Sequence, residues 1–119
     1  MAFAFEDLQV YQKALDFAVS VITVIDEFDA PRKHFKLIEQ IEASSTSIAS
    51  NISEGKGRYS KKEFKQYLYI ARGSLYETVT RLQIFLKLRW LKEESFKGLY
   101  IEAEEINKML SGLINSIKT

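Results

Sequence analysis

Cysteine is absent from this sequence of 119 residues, proline occurs once (Pro31), histidine once (His34) and glycine five times. Without cysteine there is no disulfide, no thiolate zinc site and no thiol nucleophile, and a reducing cytoplasm is the expected setting. With so few chain breakers, long uninterrupted segments remain, which favours helices over a fold of many short strands. One histidine and no thiol cannot supply a nucleophile, a base and an orienting group together. His34 lies at a helix start among Arg32, Lys33 and Lys36 and reads as a solvated surface residue. The Glu-x-x-His pairs of di-iron bundles are missing, so Glu102, Glu104 and Glu105 read as the solvated face of the last helix rather than as metal ligands. EGKGRYS has glycines and a lysine but not the spacing of a phosphate-binding loop. The chain is therefore expected to be a non-enzyme with no cofactor and no metal.

Long apolar runs are also scarce. The best candidate, Phe17 to Ile25, is interrupted by Ser20 and Thr23 and falls well short of the roughly 18 residues a membrane span needs. The opening MAFAFEDLQVYQ lacks a basic stretch and meets Glu6 and Asp7 at once, unlike a secretory signal. A soluble cytoplasmic protein with no membrane partner is the expectation. The length predicts a single domain over residues 1–119 that buries roughly two-thirds of its unfolded surface.

Four amphipathic segments are present. In the first, about Asp7 to Asp26, Leu8, Tyr11, Leu15, Ala18, Ile22 and Ile25 recur at helical spacing. A second stripe, Val10, Phe17, Val21, Val24 and Phe28, lies beside it. Residues 19–25 also suit a strand on propensity, but the period of the whole segment favours a helix. Two adjacent stripes exceed what one bundle helix needs, so either this helix sits deep in the core or, as expected for so small a chain, the second stripe forms an interface between copies of the chain.

Pro31 suits the first turn of a second helix from Arg32 to Ser53, with Leu37, Ile41, Ile48 and Ile52 in the core. The small residues of EASSTSIASNIS are expected to let a neighbouring helix come close, the alternative being that they line a polar surface. Gly55 is placed to end that helix in the left-handed conformation. Ser60 and Glu63 form a capping box for a third helix, Lys61 to Arg89, in which Phe64, Leu68, Ala71, Leu75, Thr78, Leu82 and Phe85 step by fours and threes. After a turn near Trp90, a fourth helix carries Phe96, Leu99, Ala103, Ile106, Met109 or Leu110, Leu113 and Ile117. The predicted fold is all-α, an antiparallel up-down-up-down four-helix bundle.

The net charge is only +1, but it is unevenly spread. Residues 1–30 carry −5, residues 31–92 carry +8 and residues 93–119 carry −2. Lys56, Arg58, Lys61, Lys62 and Lys65 fall at a loop and the helix N-terminus after it, where free N–H groups also attract anions. Tyr59, Tyr67 and Tyr69 lie among or just beyond them, and Arg72, Arg81, Lys87 and Arg89 extend the positive charge. Basic residues interleaved with aromatic rings suit RNA or single-stranded DNA. The competing reading is a solvated face, or an ion-pair network between subunits.

SIASNISEGKGRYSKKEFKQYLYIARGSLYET, together with FEDLQVYQKALDF, resembles the four-helix bundle protein family. These are the bacterial ribosomal RNA intervening-sequence proteins, also labelled a ribosomal protein family, and the accessory proteins of diversity-generating retroelements look similar. The resemblance implies a left-handed bundle assembled as a homopentamer, with nucleic acid or a partner protein on a positive surface. The family's motif positions fall on Asn51, Glu54, Gly55, Arg58, Ser60, Phe64, Ala71, Gly73, Ser74 and Glu77. Structurally, Glu54 is expected to pair with Arg58, Gly73 and Ser74 to allow close helix approach, and Glu77 to meet a cation on a neighbouring helix or subunit. Lys56, Arg58, Tyr59, Lys61, Lys62, Lys65, Tyr67 and Arg72 are the expected nucleic-acid contacts. The alternative is an interaction scaffold with no nucleic-acid role.

Overall fold

The computed structural model describes residues 2–28 and 34–119. A single 3₁₀ turn, Ala4–Asp7, leads into α1 (Gln9–Asp26), followed by α2 (Phe35–Lys56), α3 (Lys61–Lys87) and α4 (Glu93–Ser116). The expectation that Pro31 and Arg32 open the second helix lies outside the described residues. The helices pack in a cycle, α1 on α2, α2 on α3, α3 on α4 and α4 on α1. Their cross-contacts run in opposite directions. On α2 and α3, Ser44 meets Thr78, Ser47 meets Ser74, and Arg58, just beyond α2, meets Tyr67. On α1 and α4, Lys13 meets Glu105 and Ser20 meets Glu102. The result is an antiparallel bundle of 46 × 24 × 23 Å.

The expected core positions of the last three helices are largely the observed ones. Ile41, Ile48, Ile52, Leu68, Leu75, Leu82, Phe85, Leu99, Ile106 and Leu110 are all buried, each large side chain contributing about 1.5–3 kcal/mol. Ser44, Ser45, Ser74 and Thr78 are buried with them. Ser44 and Thr78 hydroxyls lie 2.9 Å apart, and Ser47 and Ser74 hydroxyls 3.0 Å apart. The small side chains of α2 thus serve close packing against α3, with their polar atoms satisfied across the seam.

The first helix corrects the sequence reading. Val10, Phe17 and Val21 are buried in the bundle's own core, and Val24 and Phe28 pack against it. They do not form a leftover surface for another copy. Leu15, expected inside, is instead exposed, as is Val19. The inward direction is rotated from the expected stripe, with Ala14 and Ala18 completing the buried face.

One end of the bundle is closed by aromatic rings. Phe85 meets Phe28 edge-on with centroids 5.4 Å apart, Trp90 lies 5.5 Å from Phe85, and His34 lies 5.0 Å from Trp90. His34 is therefore half-buried against a ring rather than freely solvated. At this end α3 stops in a Schellman motif: Trp90 N–H donates to the Phe85 carbonyl and Arg89 N–H to that of Leu86, both at 3.0 Å. Arg89 occupies the left-handed region, φ 64°, a place usually taken by glycine.

Candidate nucleic-acid interface

The opposite end is formed by the C-terminus of α2 and the N-terminus of α3. Gly55 does not end α2 in the left-handed region, since no described glycine has positive φ and α2 continues to Lys56. It is needed for space. A Cβ on Gly55 would stand 2.5 Å from Tyr67 Cβ and 3.2 Å from Phe64 Cδ1. The start of α3 matches expectation: Glu63 N–H donates to Ser60 Oγ at 3.1 Å, and the Ser60 hydroxyl donates to Glu63 Oε1 at 3.2 Å.

Arg58 and Glu54 pair as expected, with Nη2 2.8 Å from Oε1. Tyr67 joins them. Arg58 Nη2 also donates to Tyr67 Oη, the Tyr67 hydroxyl donates to Glu54 Oε1 at 3.3 Å, and the guanidinium lies 4.9 Å from the Tyr67 ring centroid. The hydrogen bond to Glu54, followed by Tyr67, raises the Arg58 guanidinium above its usual value. This triad ties the helix connection to α3 and occupies Arg58 and Tyr67 with one another.

Around it lie the remaining basic residues. Lys56 Nζ sits 5.5 Å from the Phe64 ring centroid. Lys61 and Lys62 are exposed on the first turn of α3, Lys65 is half-buried, and Tyr59 is wholly exposed. Among the described residues none of these four lysines forms an ion pair. Steps of four and seven put Lys61, Lys65 and Arg72 along one stripe of α3. Arg72 is engaged rather than free: its guanidinium lies 5.0 Å from the Tyr69 ring, and Nη1 donates to Ser111 Oγ on α4 at 3.3 Å.

The other motif residues lie away from this end. Asn51 Nδ2 donates to the Ser47 carbonyl and hydroxyl at 2.8 Å each. Ser74, Glu77 and Arg81 line a shallow groove with Gln40, Ala43, Ser44 and Ser47. Within this chain, Glu77 pairs with a cation on its own helix, Arg81 at 3.2 Å, rather than with one on a neighbouring helix. Arg81 in turn reaches the Gln40 carbonyl on α2 at 3.4 Å. Gly73 permits no close approach, because a Cβ there would meet nothing within 4 Å; the tight contact belongs to Ser74.

On α4, Glu102 departs from the solvated face expected of it. It accepts a hydrogen bond from Ser20 at 3.2 Å, and burial pushes its carboxyl above the usual range. Glu105 pairs with Lys13 at 3.2 Å. Among the described residues no group of three or more acidic or histidine side chains is placed to hold a metal ion. No helix of these residues is long and apolar enough to cross a membrane.

Comparison with known proteins places this arrangement. No curated protein matches the chain. A crystal structure of a protein with unknown function from the S23 ribosomal protein family of Bacteroides thetaiotaomicron VPI-5482 superposes with a TM-score of 0.82 at 30% identity, over 90% of this chain and 99% of that one. The family model described as 23S rRNA-intervening sequence protein matches residues 6–112. That span takes in all four helices but the last residues of α4, the Arg58–Tyr67 triad and the lysine cluster. The chain belongs to the 23S rRNA-intervening sequence protein family.

Proposed function

We propose that this chain is a non-enzymatic, homo-oligomeric accessory protein of the cytoplasm that binds nucleic acid at the α2–α3 end of the bundle. The observation that carries the reading is the group of lysines without ion-pair partners, Lys56, Lys61, Lys62 and Lys65, beside the wholly exposed Tyr59. Unpaired lysines at a helix N-terminus contact phosphates without first breaking an internal pair. Tyr59 offers a face for an unpaired base. Arg58 and Tyr67 hold the connection in shape rather than carrying the ligand. The family description, with its reference to 23S rRNA, and the ribosomal label of the Bacteroides protein favour RNA over other polyanions.

Self-association draws on the exposed aliphatic residues Leu15 and Val19 on α1, Ile70, Ile84 and Leu88 on α3, and Ile101 on α4. A pentamer is the assembly implied by the family resemblance.

Light scattering coupled to size exclusion, with and without a short single-stranded RNA at low salt, tests both parts. An oligomer that carries RNA and releases it as salt rises supports the reading. Replacing Lys56, Lys61, Lys62 and Lys65 by Ala should flatten the logarithmic salt slope by about 0.7 for each phosphate no longer neutralised. A slope that does not change removes these lysines from the interface. An oligomer indifferent to RNA and to DNA returns the protein to the scaffold alternative.

A further inference from the structure

One exposed stripe of α3 continues from the lysine cluster along the flank of the bundle. Alternating steps of three and four residues connect Lys62, Lys65, Tyr69, Arg72 and Tyr76, so all five lie on one side of the helix. Tyr69 is 47% exposed and Tyr76 52%. Lys62 is exposed, and Lys65 and Arg72 are half-buried. From Lys62 to Tyr76 the stripe is about 21 Å long, and its two tyrosines stand about 10 Å apart along the axis.

No acid of α3 interrupts it. The two acids of that helix are Glu63 and Glu77, and both are engaged off the stripe, Glu63 with Ser60 and Glu77 with Arg81. Arg72 forms no ion pair among the described residues. It donates to the neutral Ser111 hydroxyl and lies 5.0 Å from the Tyr69 ring centroid. Its charge is therefore not neutralised, unlike that of Arg58, which pairs with Glu54. At the far end, Glu104 on α4 lines a groove together with Tyr76. A carboxylate there repels phosphate, so the stripe ends at Tyr76.

Three cations with two rings set among them restrict the occupant. An acidic protein segment would pair with the cations and leave the rings uncovered. An apolar helix would cover the rings and bury the cations without partners, which is costly. A duplex offers phosphates but keeps its bases stacked inside, out of reach of the tyrosines. A single strand meets both needs, with phosphates along the cations and unstacked bases on the rings.

We propose that a single strand of RNA bound at the α2–α3 end continues along this stripe, its phosphates on Lys62, Lys65 and Arg72 and two of its bases on Tyr69 and Tyr76. The proposal rests on the nucleic-acid reading above and adds to it a path, a length and a preference for single strands over duplexes. Arg72 has a second part, since its guanidinium holds the Tyr69 ring in place.

The test measures binding of the full chain by fluorescence anisotropy to a labelled oligouridylate of about twelve nucleotides, a length usual for such grooves, and to a duplex RNA of equal length. Tyr69→Leu and Tyr76→Leu should each weaken the single strand roughly tenfold. Duplex affinity should not change, nor should the salt slope for the single strand, because the rings contact bases and not phosphates. Tyr69→Phe and Tyr76→Phe, which keep the ring, should bind like the parent. If a leucine variant fails to fold, ultraviolet crosslinking of a thiouridine-substituted strand to the parent decides, with crosslinks expected at Tyr69 and Tyr76. If RNA binding needs the tip lysines but the leucine variants bind like the parent, or the crosslinks stop short of Tyr69, the stripe is not the path and the site at the tip stands alone. Equal weakening of single strand and duplex also overturns the proposal. A parent that binds no RNA removes both the stripe and the tip site.

Discussion

A Cβ added at Gly55 would stand 2.5 Å from the Cβ of Tyr67, closer than side chains pack. Alanine in place of a helical glycine ordinarily gains about 1 kcal/mol. Here the added methyl must push Tyr67 and Phe64 away, and overpacking of this kind costs about 1–3 kcal/mol. Gly55→Ala is therefore expected to lower stability, while Gly73→Ala, whose Cβ meets nothing within 4 Å, raises it by about 0.5–1 kcal/mol. Urea denaturation of the two variants beside the parent checks the pair. Equal shifts in the same direction would show that space at Gly55 does not matter.

Arg89 supplies a second case of backbone deciding the sign. It sits at φ 64° after the end of α3, where a non-glycine residue is strained by about 1–2 kcal/mol. Its side chain makes no hydrogen bond or ion pair among the described residues. Arg89→Gly should stabilise the bundle by about 1 kcal/mol, offset in part by the freer unfolded chain. Thermal melting reads it directly, and a lower midpoint would mean that the Arg89 side chain contributes more than its strain costs.

Glu102 gives a pH dependence of definite sign. Burial raises its carboxyl above the usual value, Asp16 and Glu105 push the same way, and the Ser20 hydrogen bond and Lys13 oppose them. The folded state then holds this proton more tightly than the unfolded chain, so Glu102 adds stability as pH falls through its folded value. That gain is complete below the unfolded value of 4.5. At neutral pH the ionised group is a liability. Glu102→Gln should raise stability there by at most about 0.5 kcal/mol, the scale of changes on partly exposed surfaces. Its advantage over the parent should vanish in acid. An advantage that stays constant from pH 4 to pH 8, measured by paired melting curves, would show that titration of Glu102 is not its source.

The helices are legible in the sequence because the apolar period of each runs for several turns. Phe64 to Phe85 marks the inner face of α3 without ambiguity, Thr78 included. The first helix misleads because it has two neighbouring apolar stripes, and only packing decides that Phe17 and Val21 turn inward while Leu15 turns out. Gly55 reads as a helix end because close approach and left-handed backbone both select glycine. The end of α3 has no such letter to read, since arginine occupies the left-handed position. At the candidate interface, the Glu54–Arg58 spacing announces a pair. Nothing local announces Tyr67 as its third member, because that contact exists only once α2 and α3 fold together. The stripe from Lys62 to Tyr76 is readable at steps of three and four. That Glu104 stands at its far end is not, because this depends on how α3 and α4 pack.

The hydroxyls between α2 and α3 bear on more than cohesion. Apolar ridges tolerate sliding, but Ser44 has one counterpart in Thr78 and Ser47 one in Ser74. A slip by one helical turn, about 5.4 Å, would break both cross-helix bonds and leave the Ser74 hydroxyl without its partner, while Ser44, Ser47 and Thr78 would keep only bonds within their own helices. The seam therefore works as a vernier that fixes the axial offset of the two helices. Lys56 stands about 18 Å further along α2 than Ser44, at 1.5 Å per residue, and inherits its position opposite the start of α3 from that distant setting. The spacing of positive charge at the tip of the bundle is thus gauged by a pair of uncharged hydroxyls in its interior.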